Sequence, residues 1–172
     1  MHITKRSKSI YQSKWVNVYE DFVQKENGKT ARFSRFEIPD VVIIIPIFND
    51  DSVLMIKSYR HGIEKEILDL PGGFVENNET YKKSAKRELL EETGYTCSTI
   101  TSKGWFYSAP SRSKQKFHIF VARGLKLVVN QKLDEFEYIK VTKVSKKQLA
   151  KKIRDGQIKH GHVLASLMLI NF

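Results

Sequence analysis

Apolar and polar residues alternate along two neighbouring segments near the start of the chain. Residues 15–38 read WVNVYEDFVQKENGKTARFSRFEI, with apolar side chains recurring on both sides of Glu26-Asn27-Gly28-Lys29. A period of two predicts β-strands, and an Asn-Gly pair is typical of the tight turn that joins two antiparallel strands. We therefore expect a β-hairpin over residues 15–38.

The next segments carry nearly continuous apolar runs. Residues 41–48 predict a buried strand with Pro46 at its end or at a bulge, because proline cannot donate a hydrogen bond inside a sheet. A turn at Asn49-Asp50-Asp51 leads to a second strand at 53–59. Further strands are expected at 105–108, 117–122 and 139–144, with a polar loop at 111–116.

Apolar residues spaced by four predict helices in the remaining segments. One helix begins near Asn78 or Glu79 and ends at Gly94, and its expected buried stripe is Tyr81, Ala85 and Leu89. A second runs from a Ser145 cap to Gly156, and a third covers residues 162–170. Strands interspersed with few helices indicate an α+β fold, an α/β/α sandwich in which helices flank a mixed sheet.

Length and composition set limits on the class of protein. The 172 residues suit one domain, or a core domain with a small appendage. No apolar run has the roughly 18 residues that a membrane span needs, and the basic start lacks the apolar stretch of a secretion signal. The single cysteine, Cys97, forms no internal disulfide, which is typical of a reducing compartment. We expect a cytoplasmic protein without a membrane partner.

The chain has thirty Lys and Arg residues against nineteen Asp and Glu, a net charge of +11. This excess favours anionic partners such as phosphorylated metabolites. The lysines are scattered and no nucleic-acid-binding module is evident, which argues against a nucleic-acid partner.

Against this background, three glutamates stand close together on the first helix. Glu88, Glu91 and Glu92 have i, i+3 and i+4 spacing, at which like charges repel. The preceding Pro71-Gly72-Gly73 allows a sharp turn and a close backbone approach. Carboxylate and carbonyl oxygens are the ligands that Mg²⁺ and Mn²⁺ prefer, so a bound divalent cation is the leading explanation, with a solvated acidic face as the alternative.

The spacing of these residues resembles the Nudix box of the Nudix hydrolases. The pattern runs Gly73, five residues, Glu79, seven residues, Arg87-Glu88-Leu89, one residue, Glu91-Glu92, one residue, Gly94-Tyr95. Only the final aliphatic position is relaxed, to tyrosine. The resemblance implies a metal-binding loop–helix–loop and hydrolysis of a nucleoside diphosphate linked to another group.

The resemblance also implies roles for residues of the box. It makes Glu88, Glu91 and Glu92 metal ligands, with the Gly72 carbonyl as a fourth, and gives Glu92 a part in catalysis. Glu79 and Arg87 are expected to form a structural ion pair that braces the helix.

The stretch VLMIKSYRHGIEKEILDLPGGFVE is similar to the segment before the box in ADP-ribose and nucleoside diphosphate sugar pyrophosphatases. That likeness implies that Arg60 binds the substrate diphosphate and assists catalysis, as a guanidinium suits phosphate. The alternative is a surface arginine paired with Glu64 or Glu66. Pro110, sixteen residues after Gly94, fits the same branch.

In that branch an N-terminal sheet commonly builds a homodimer and covers the adenosine of the partner's substrate. We therefore divide the chain into an N-terminal extension at 1–40, for dimerisation and substrate cover, and a Nudix domain at 41–172. The substrate-binding residues expected from this likeness are Phe33, Arg35 and Glu37 in the hairpin, together with Ser111 and Gln115 after Pro110. Plain strand packing is the alternative for the hairpin residues.

Gln115 departs from the family pattern, which often has glutamate there. Gln115 cannot act as a base, so we look for the base in Leu133-Asp134-Glu135-Phe136-Glu137, which resembles the acidic loop before the last strand of the branch. This gives Glu135 as candidate general base and Glu137 as candidate metal ligand. A solvated acidic turn is the alternative.

The sequence thus predicts an enzyme that uses Mg²⁺ or Mn²⁺ to hydrolyse the diphosphate bond of ADP-ribose or a related nucleoside diphosphate sugar. The products are a nucleoside monophosphate and a sugar phosphate. The alternatives are another Nudix activity, on nucleoside triphosphates, dinucleoside polyphosphates or RNA 5′ ends, and a nucleotide sensor that does not hydrolyse its ligand. The sugar, the base, the choice of ion and the dimer geometry stay open.

Overall fold

The structure is a computed structural model, and it describes residues 1–171. The strands are β1 (His2–Gln12), β2 (Asn17–Lys25), β3 (Thr30–Glu37), β4 (Val41–Pro46), β5 (Val53–Arg60), β6 (Lys65–Asp69), β7 (Gly72–Phe74), β8 (Tyr95–Tyr107), β9 (Lys116–Leu127) and β10 (Ile139–Val144). The helices are α1 (Tyr81–Thr93), α2 (Lys146–Arg154) and α3 (Gly161–Met168), and a single 3₁₀ turn covers His61–Ile63.

The described residues form two compact units. The N-terminal unit consists of Met1–Asp40 and Phe106–Lys116, and the main unit consists of Val41–Trp105 and the described residues from Phe117 onward. One boundary of the N-terminal unit falls at residue 40, and the segment around Pro110 belongs to this unit. The division into an extension at 1–40 and a Nudix domain at 41–172 stays a prediction.

The N-terminal unit is built on an antiparallel sheet in the order β1-β2-β3. The predicted hairpin is confirmed: β2 pairs with β3 from Asn17 opposite Glu37 to Gln24 opposite Thr30, and Gly28 occupies the turn with a φ of +79°. The sequence did not predict β1. All of its residues are exposed, so it carries no apolar face that a pattern could reveal, and only pairing with β2 defines it.

The main unit contains two sheets. One has the order β7-β4-β9-β8, in which β4 runs parallel to β9 and antiparallel to β7. The other has β5 between β10 and β6, both antiparallel to it. Both α1 and α3 pack against β4, so the predicted fold class, a mixed sheet combined with helices, is confirmed.

The core next to α1 follows the alternation of β4. Val42 and Ile44 lie in one buried cluster with Ala85 and Leu89 of α1, and none of the four side chains is exposed. The prediction that Tyr81 also belongs to this buried stripe was wrong. Tyr81 is 40% exposed, because its ring stacks on His118 with one face and leaves the rest of the side chain accessible.

The helix ends have recognisable caps, although α1 begins at Tyr81 rather than near Asn78 or Glu79 as predicted. Thr80 caps α1 by accepting a hydrogen bond from the Lys83 amide, and Gly94 ends the helix in the left-handed region with a φ of +75°. Ser145 and Gln148 form a reciprocal capping box at α2. The predicted strand at 105–108 is longer in the structure, since β8 begins directly after Gly94.

Candidate metal and active site

The segment Pro71-Gly72-Gly73, called the glycine turn below, leads into β7 before α1 and lies directly against two of the glutamates. The Gly72 amide donates a hydrogen bond of 2.7 Å to Glu92 Oε2. A Cβ atom added to Gly73 would lie 2.5 Å from Glu88 Oε1, and one added to Gly72 would lie 2.1 Å from the Val42 carbonyl oxygen. Gly72 therefore requires glycine, because the clash is with the backbone, whereas a side chain at Gly73 would displace the Glu88 carboxylate.

Arg87 brings the acidic side chains of the box together. Its Nη2 lies 3.1 Å from Glu79 Oε2, which confirms the predicted ion pair. Its Nη1 donates hydrogen bonds to Glu88 Oε1 at 2.8 Å and to Glu91 Oε2 at 3.1 Å. The sequence analysis missed these two contacts, although Arg87 and Glu91 have the i, i+4 spacing that places oppositely charged residues side by side.

The electrostatics of the glutamates reflect their burial. Glu92 is only 6% exposed, and burial raises the pKa of its carboxyl well above the usual range, with the Gly72 amide opposing the shift. Burial also raises the pKa of Glu88 to about 7, although the charge of Arg87 opposes it. Glu137 raises both pKa values further through its negative charge. The site is thus short of positive charge.

The chemistry of this donor set fits a hard divalent cation. Buried carboxylates with few internal hydrogen bonds, grouped with backbone carbonyls, are the oxygen ligands that such ions take. Within residues 1–171, however, no group of three or more His, Cys, Asp or Glu side chains is already arranged to hold a metal ion. Glu88 and Glu91 are turned towards Arg87, so ion binding requires these two side chains to exchange that partner for the ion.

Arg60 lies at the end of β5, and its charge lowers the pKa of Glu92, which places it near the glutamates. Its guanidinium forms an ion pair with Asp69, through Nη2 and through Nε at 3.2 Å. The alternative partners Glu64 and Glu66 were therefore wrong. Asp69, which the sequence analysis did not single out, is 3% exposed at the end of β6.

The acidic side chains between β9 and β10 are more exposed than the glutamates beside the glycine turn. Glu135 and Glu137 are both exposed, and Phe136 between them is 84% exposed. Glu137 Oε2 accepts a hydrogen bond from the Asp134 amide at 3.1 Å, which closes a small turn. Of the two, Glu137 is the one whose charge acts on Glu88 and Glu92. The roles predicted for both residues stay predictions.

Four of the five residues predicted to bind substrate in the N-terminal unit, Phe33, Arg35, Glu37 and Ser111, line a cavity of about 220 Å³. Arg35 extends between two carboxylates, with Nε 2.7 Å from Asp21 Oδ2 and Nη1 2.5 Å from Glu37 Oε1. The Phe33 ring stacks on His2, with ring centres 5.4 Å apart. Sequence alternation alone did not identify Asp21, the buried anchor of Arg35.

Gln115 is 5% exposed, and its amide nitrogen donates a hydrogen bond of 2.7 Å to the Pro39 carbonyl. This contact explains a neutral amide at the position: it ties the 111–116 loop to the end of the hairpin. A carboxylate would have no proton to donate to a carbonyl oxygen.

Comparison with known proteins assigns the chain to a family. A model of the NUDIX domain matches residues 38–166. The chain belongs to the Nudix family. This confirms the resemblance read from the box, and Nudix hydrolases generally depend on divalent metal ions. The Nudix box is therefore the stretch formed by the glycine turn and α1.

Two curated relatives of this Nudix protein align along most of its length. The ADP-ribose pyrophosphatase of Bacillus subtilis is 29% identical over 87% of this chain and 81% of its own. The methanol dehydrogenase activator of Bacillus methanolicus is 30% identical over 90% of this chain and 84% of its own. A crystal structure of an ADP compounds hydrolase superimposes with a TM-score of 0.88 and 23% identity, covering 99% of this chain and 92% of that one, which shows the shared fold. No helix within residues 1–171 is long and apolar enough to cross a membrane.

Proposed function

We propose that this Nudix protein hydrolyses the diphosphate bond of ADP-ribose or a related nucleoside diphosphate sugar, giving a nucleoside monophosphate and a sugar phosphate. One observation carries the proposal. The buried Glu92 and the partly buried Glu88 lie against Gly72 and Gly73 of a complete Nudix box, and the charge of Glu137 acts on both. The names of the relatives as an ADP-ribose pyrophosphatase and an ADP compounds hydrolase support this substrate class.

The ion of this proposal is Mg²⁺ or Mn²⁺. The residues that would hold it are the Gly72 carbonyl and the carboxylates of Glu88, Glu91, Glu92 and Glu137. When bound, such an ion supplies charge neutralisation for the diphosphate and a lower pKa for an attacking water. Arg87 keeps Glu88 and Glu91 close to the site in the meantime, since its Nη1 contacts both carboxylates.

The other steps of the proposed reaction depend on side chains of the protein. Arg60 binds the diphosphate and stabilises the charge that develops in the transition state, for which a guanidinium is well suited. Glu135 accepts the proton of the attacking water; its exposed position leaves it free to approach a bound substrate. Glu92 contributes to catalysis as the most buried of the acidic ligands.

The N-terminal unit is assigned to substrate cover. We propose that the protein is a homodimer formed through this unit, in which Phe33, Arg35, Glu37, Ser111 and Gln115 of one protomer contact the adenosine held by its partner. An aromatic ring beside a guanidinium suits an adenine, and the side chains of Phe33, Arg35, Glu37 and Ser111 line the cavity of about 220 Å³. The single cysteine supports a cytoplasmic location.

The test is a panel of substrates assayed for phosphate release after coupling to a phosphatase. It includes ADP-ribose, ADP-glucose, UDP-glucose, GDP-mannose, NADH, diadenosine polyphosphates and deoxynucleoside triphosphates, each with Mg²⁺, with Mn²⁺ and with EDTA. We expect metal-dependent turnover of nucleoside diphosphate sugars, with ADP-ribose first. Glu76→Gln, which alters an exposed glutamate outside the proposed ligand set, should behave as the unchanged protein.

Other outcomes would replace the proposal. Preference for triphosphates or polyphosphates would assign the protein to another Nudix activity. Nucleotide that binds intact, with no turnover at either metal, would make it a sensor.

A further inference from the structure

Four side chains of the main unit form a continuous hydrogen-bonded chain beside the proposed ligand set. Arg60 binds Asp69, Asp69 Oδ2 lies 3.0 Å from His160 Nδ1, and His160 Nε2 lies 3.0 Å from His162 Nδ1. The first of these residues is the one assigned above to the diphosphate. The other three have no role in the proposed reaction, so their arrangement calls for a separate explanation.

Asp69 is the centre of this chain. Its Oδ1 accepts a hydrogen bond of 2.8 Å from the Leu70 amide, while Oδ2 accepts from both Arg60 and His160. Burial alone would raise the pKa of this carboxyl, but the His160 hydrogen bond and the Arg60 charge outweigh burial and lower it. Asp69 is therefore an ionised, buried carboxylate whose orientation depends on all three donors.

His160 is oriented from both sides. The residue stands at the N-cap of α3 but makes no side-chain cap, because its ring is directed to Asp69 instead. Its Nδ1 must carry a proton to donate to a carboxylate, so the tautomer of the ring is fixed by Asp69. The His162 ring on its far side is itself held by stacking on Phe117, with ring centres 4.0 Å apart and 14° between planes.

We propose that His160, held in place by His162, is a positioning residue that directs the Arg60 guanidinium through Asp69. The inference rests on the proposed function, because that function makes Arg60 the diphosphate-binding residue. Arg60 is exposed enough to move, with 43% of its side chain accessible, whereas Asp69 is 4% accessible. A buried carboxylate that is fixed by histidine gives a mobile guanidinium one preferred direction, which is the preorganisation that phosphate binding needs.

The kinetic test is a double-mutant cycle with nucleoside diphosphate sugar as substrate. His160→Ala should lower kcat/KM about tenfold, mostly through a higher KM, because a misdirected Arg60 binds the diphosphate less well. In an Arg60→Ala background, the same change should have an effect of less than about twofold, since Arg60 is no longer there to direct. Lys159→Ala, an exposed neighbour, is the matched control and should leave kcat/KM unchanged.

A second measurement needs no substrate. In the full-length protein labelled uniformly with ¹⁵N, a coupling between the ring nitrogens of His160 and His162 across their N–H···N hydrogen bond should be observed. The Arg60 Nε–H resonance, assigned by its loss in Arg60→Ala, should be sharp in the wild type and broadened or shifted in His160→Ala. If His160→Ala does not fold, His160→Asn, which keeps a donor attached to Cγ, replaces it and should keep kcat/KM within about threefold of wild type.

The two measurements separate the possible failures. If the wild type hydrolyses none of the sugars, the proposed function fails, and the Arg60 resonance in the variants still decides whether His160 positions it. The inference is overturned if His160→Ala lowers kcat/KM equally with and without Arg60, or if it changes neither kcat/KM nor the Arg60 resonance. Absence of the His160–His162 coupling would overturn the part given to His162.

Discussion

The glycine turn with α1 and the segment at residues 133–138 both carry glutamates assigned to the same reaction, yet the two regions are built in opposite ways. In the first, Glu92 is buried and held by the Gly72 amide, and Glu88 lies against Gly73 without space for a further atom. In the second, Glu135, Phe136 and Glu137 are exposed, and a single backbone turn holds them.

This difference separates fixed from adjustable parts of the site. Carboxylates that repel one another lower the stability of the metal-free protein, but the Gly72 amide already fixes the position of Glu92, one of the proposed ligands. An exposed segment makes few stabilising contacts and can move towards a substrate. Substitutions in the first region should therefore change activity and stability together, whereas substitutions in the second should change activity alone.

The largest effect is expected for Glu92→Gln. Removing a buried ligand of the proposed ion should lower kcat about 1,000-fold, equivalent to several kcal/mol of transition-state stabilisation. Unfolding in urea with EDTA should show equal or higher stability, because glutamine can still accept from the Gly72 amide and carries no buried charge. A marked loss of stability would mean that Glu92 has a structural role, and the comparison of regions would lose its main support.

A smaller effect is expected for Glu135→Gln. Loss of a general base should lower kcat about 100-fold while KM changes little. The midpoint of urea unfolding should not move, because the side chain is exposed. Phe136→Ala is the control within the same segment and should alter stability by less than about 0.5 kcal/mol. An unchanged kcat in Glu135→Gln would remove this residue as the base.

The smallest effect concerns pH and needs no substrate. Burial raises the pKa of Glu88 from its usual 4.5 to about 7 in the folded protein. Between these values the folded state binds more protons than the unfolded state, so the free energy of unfolding falls as pH rises. With EDTA present, we expect Glu88 to contribute a decrease of about 2 kcal/mol between pH 5 and pH 7.

Glu88→Gln should flatten this slope, leaving the part that comes from Glu92. Glu76→Gln, which alters an exposed glutamate, should keep the slope of the wild type. A slope in Glu88→Gln as steep as that of the wild type would show that Glu88 is ionised in the fold at pH 5, with Arg87 outweighing burial. The negative charge of Glu88 beside the glycine turn would then be neutralised by Arg87.

Local signals in the sequence predicted much of the fold. The Asn-Gly turn identified the hairpin, the apolar run identified β4, and Gly94 identified the end of α1, because each depends on the conformational preference of a few adjacent residues. Strand β1 escaped prediction because its residues face solvent and pair only with β2. Tyr81 was misplaced because helical spacing does not show how much of a side chain the facing residues cover.

The same distinction between local signals and long-range contacts applies to the candidate site. The spacing of the Nudix box located the glutamates and the Glu79–Arg87 pair, because all of these residues lie close together in the chain, in or just before α1. It did not show that Arg87 also contacts Glu88 and Glu91, nor that Gln115 is bound to the Pro39 carbonyl. Those contacts depend on rotamers and on loops that meet in space.

The sequence by itself determined the family, the acidic helix and its glycine turn, because a contiguous motif fixes residue type, spacing and backbone freedom together. Only the tertiary structure decided which carboxylate is buried and which cation each one contacts. Asp69 shows the reason: ninety-one residues separate it from His160, and no local pattern links them. Burial and hydrogen bonding are properties of the packed chain, and they set the charge and direction of every group in the site.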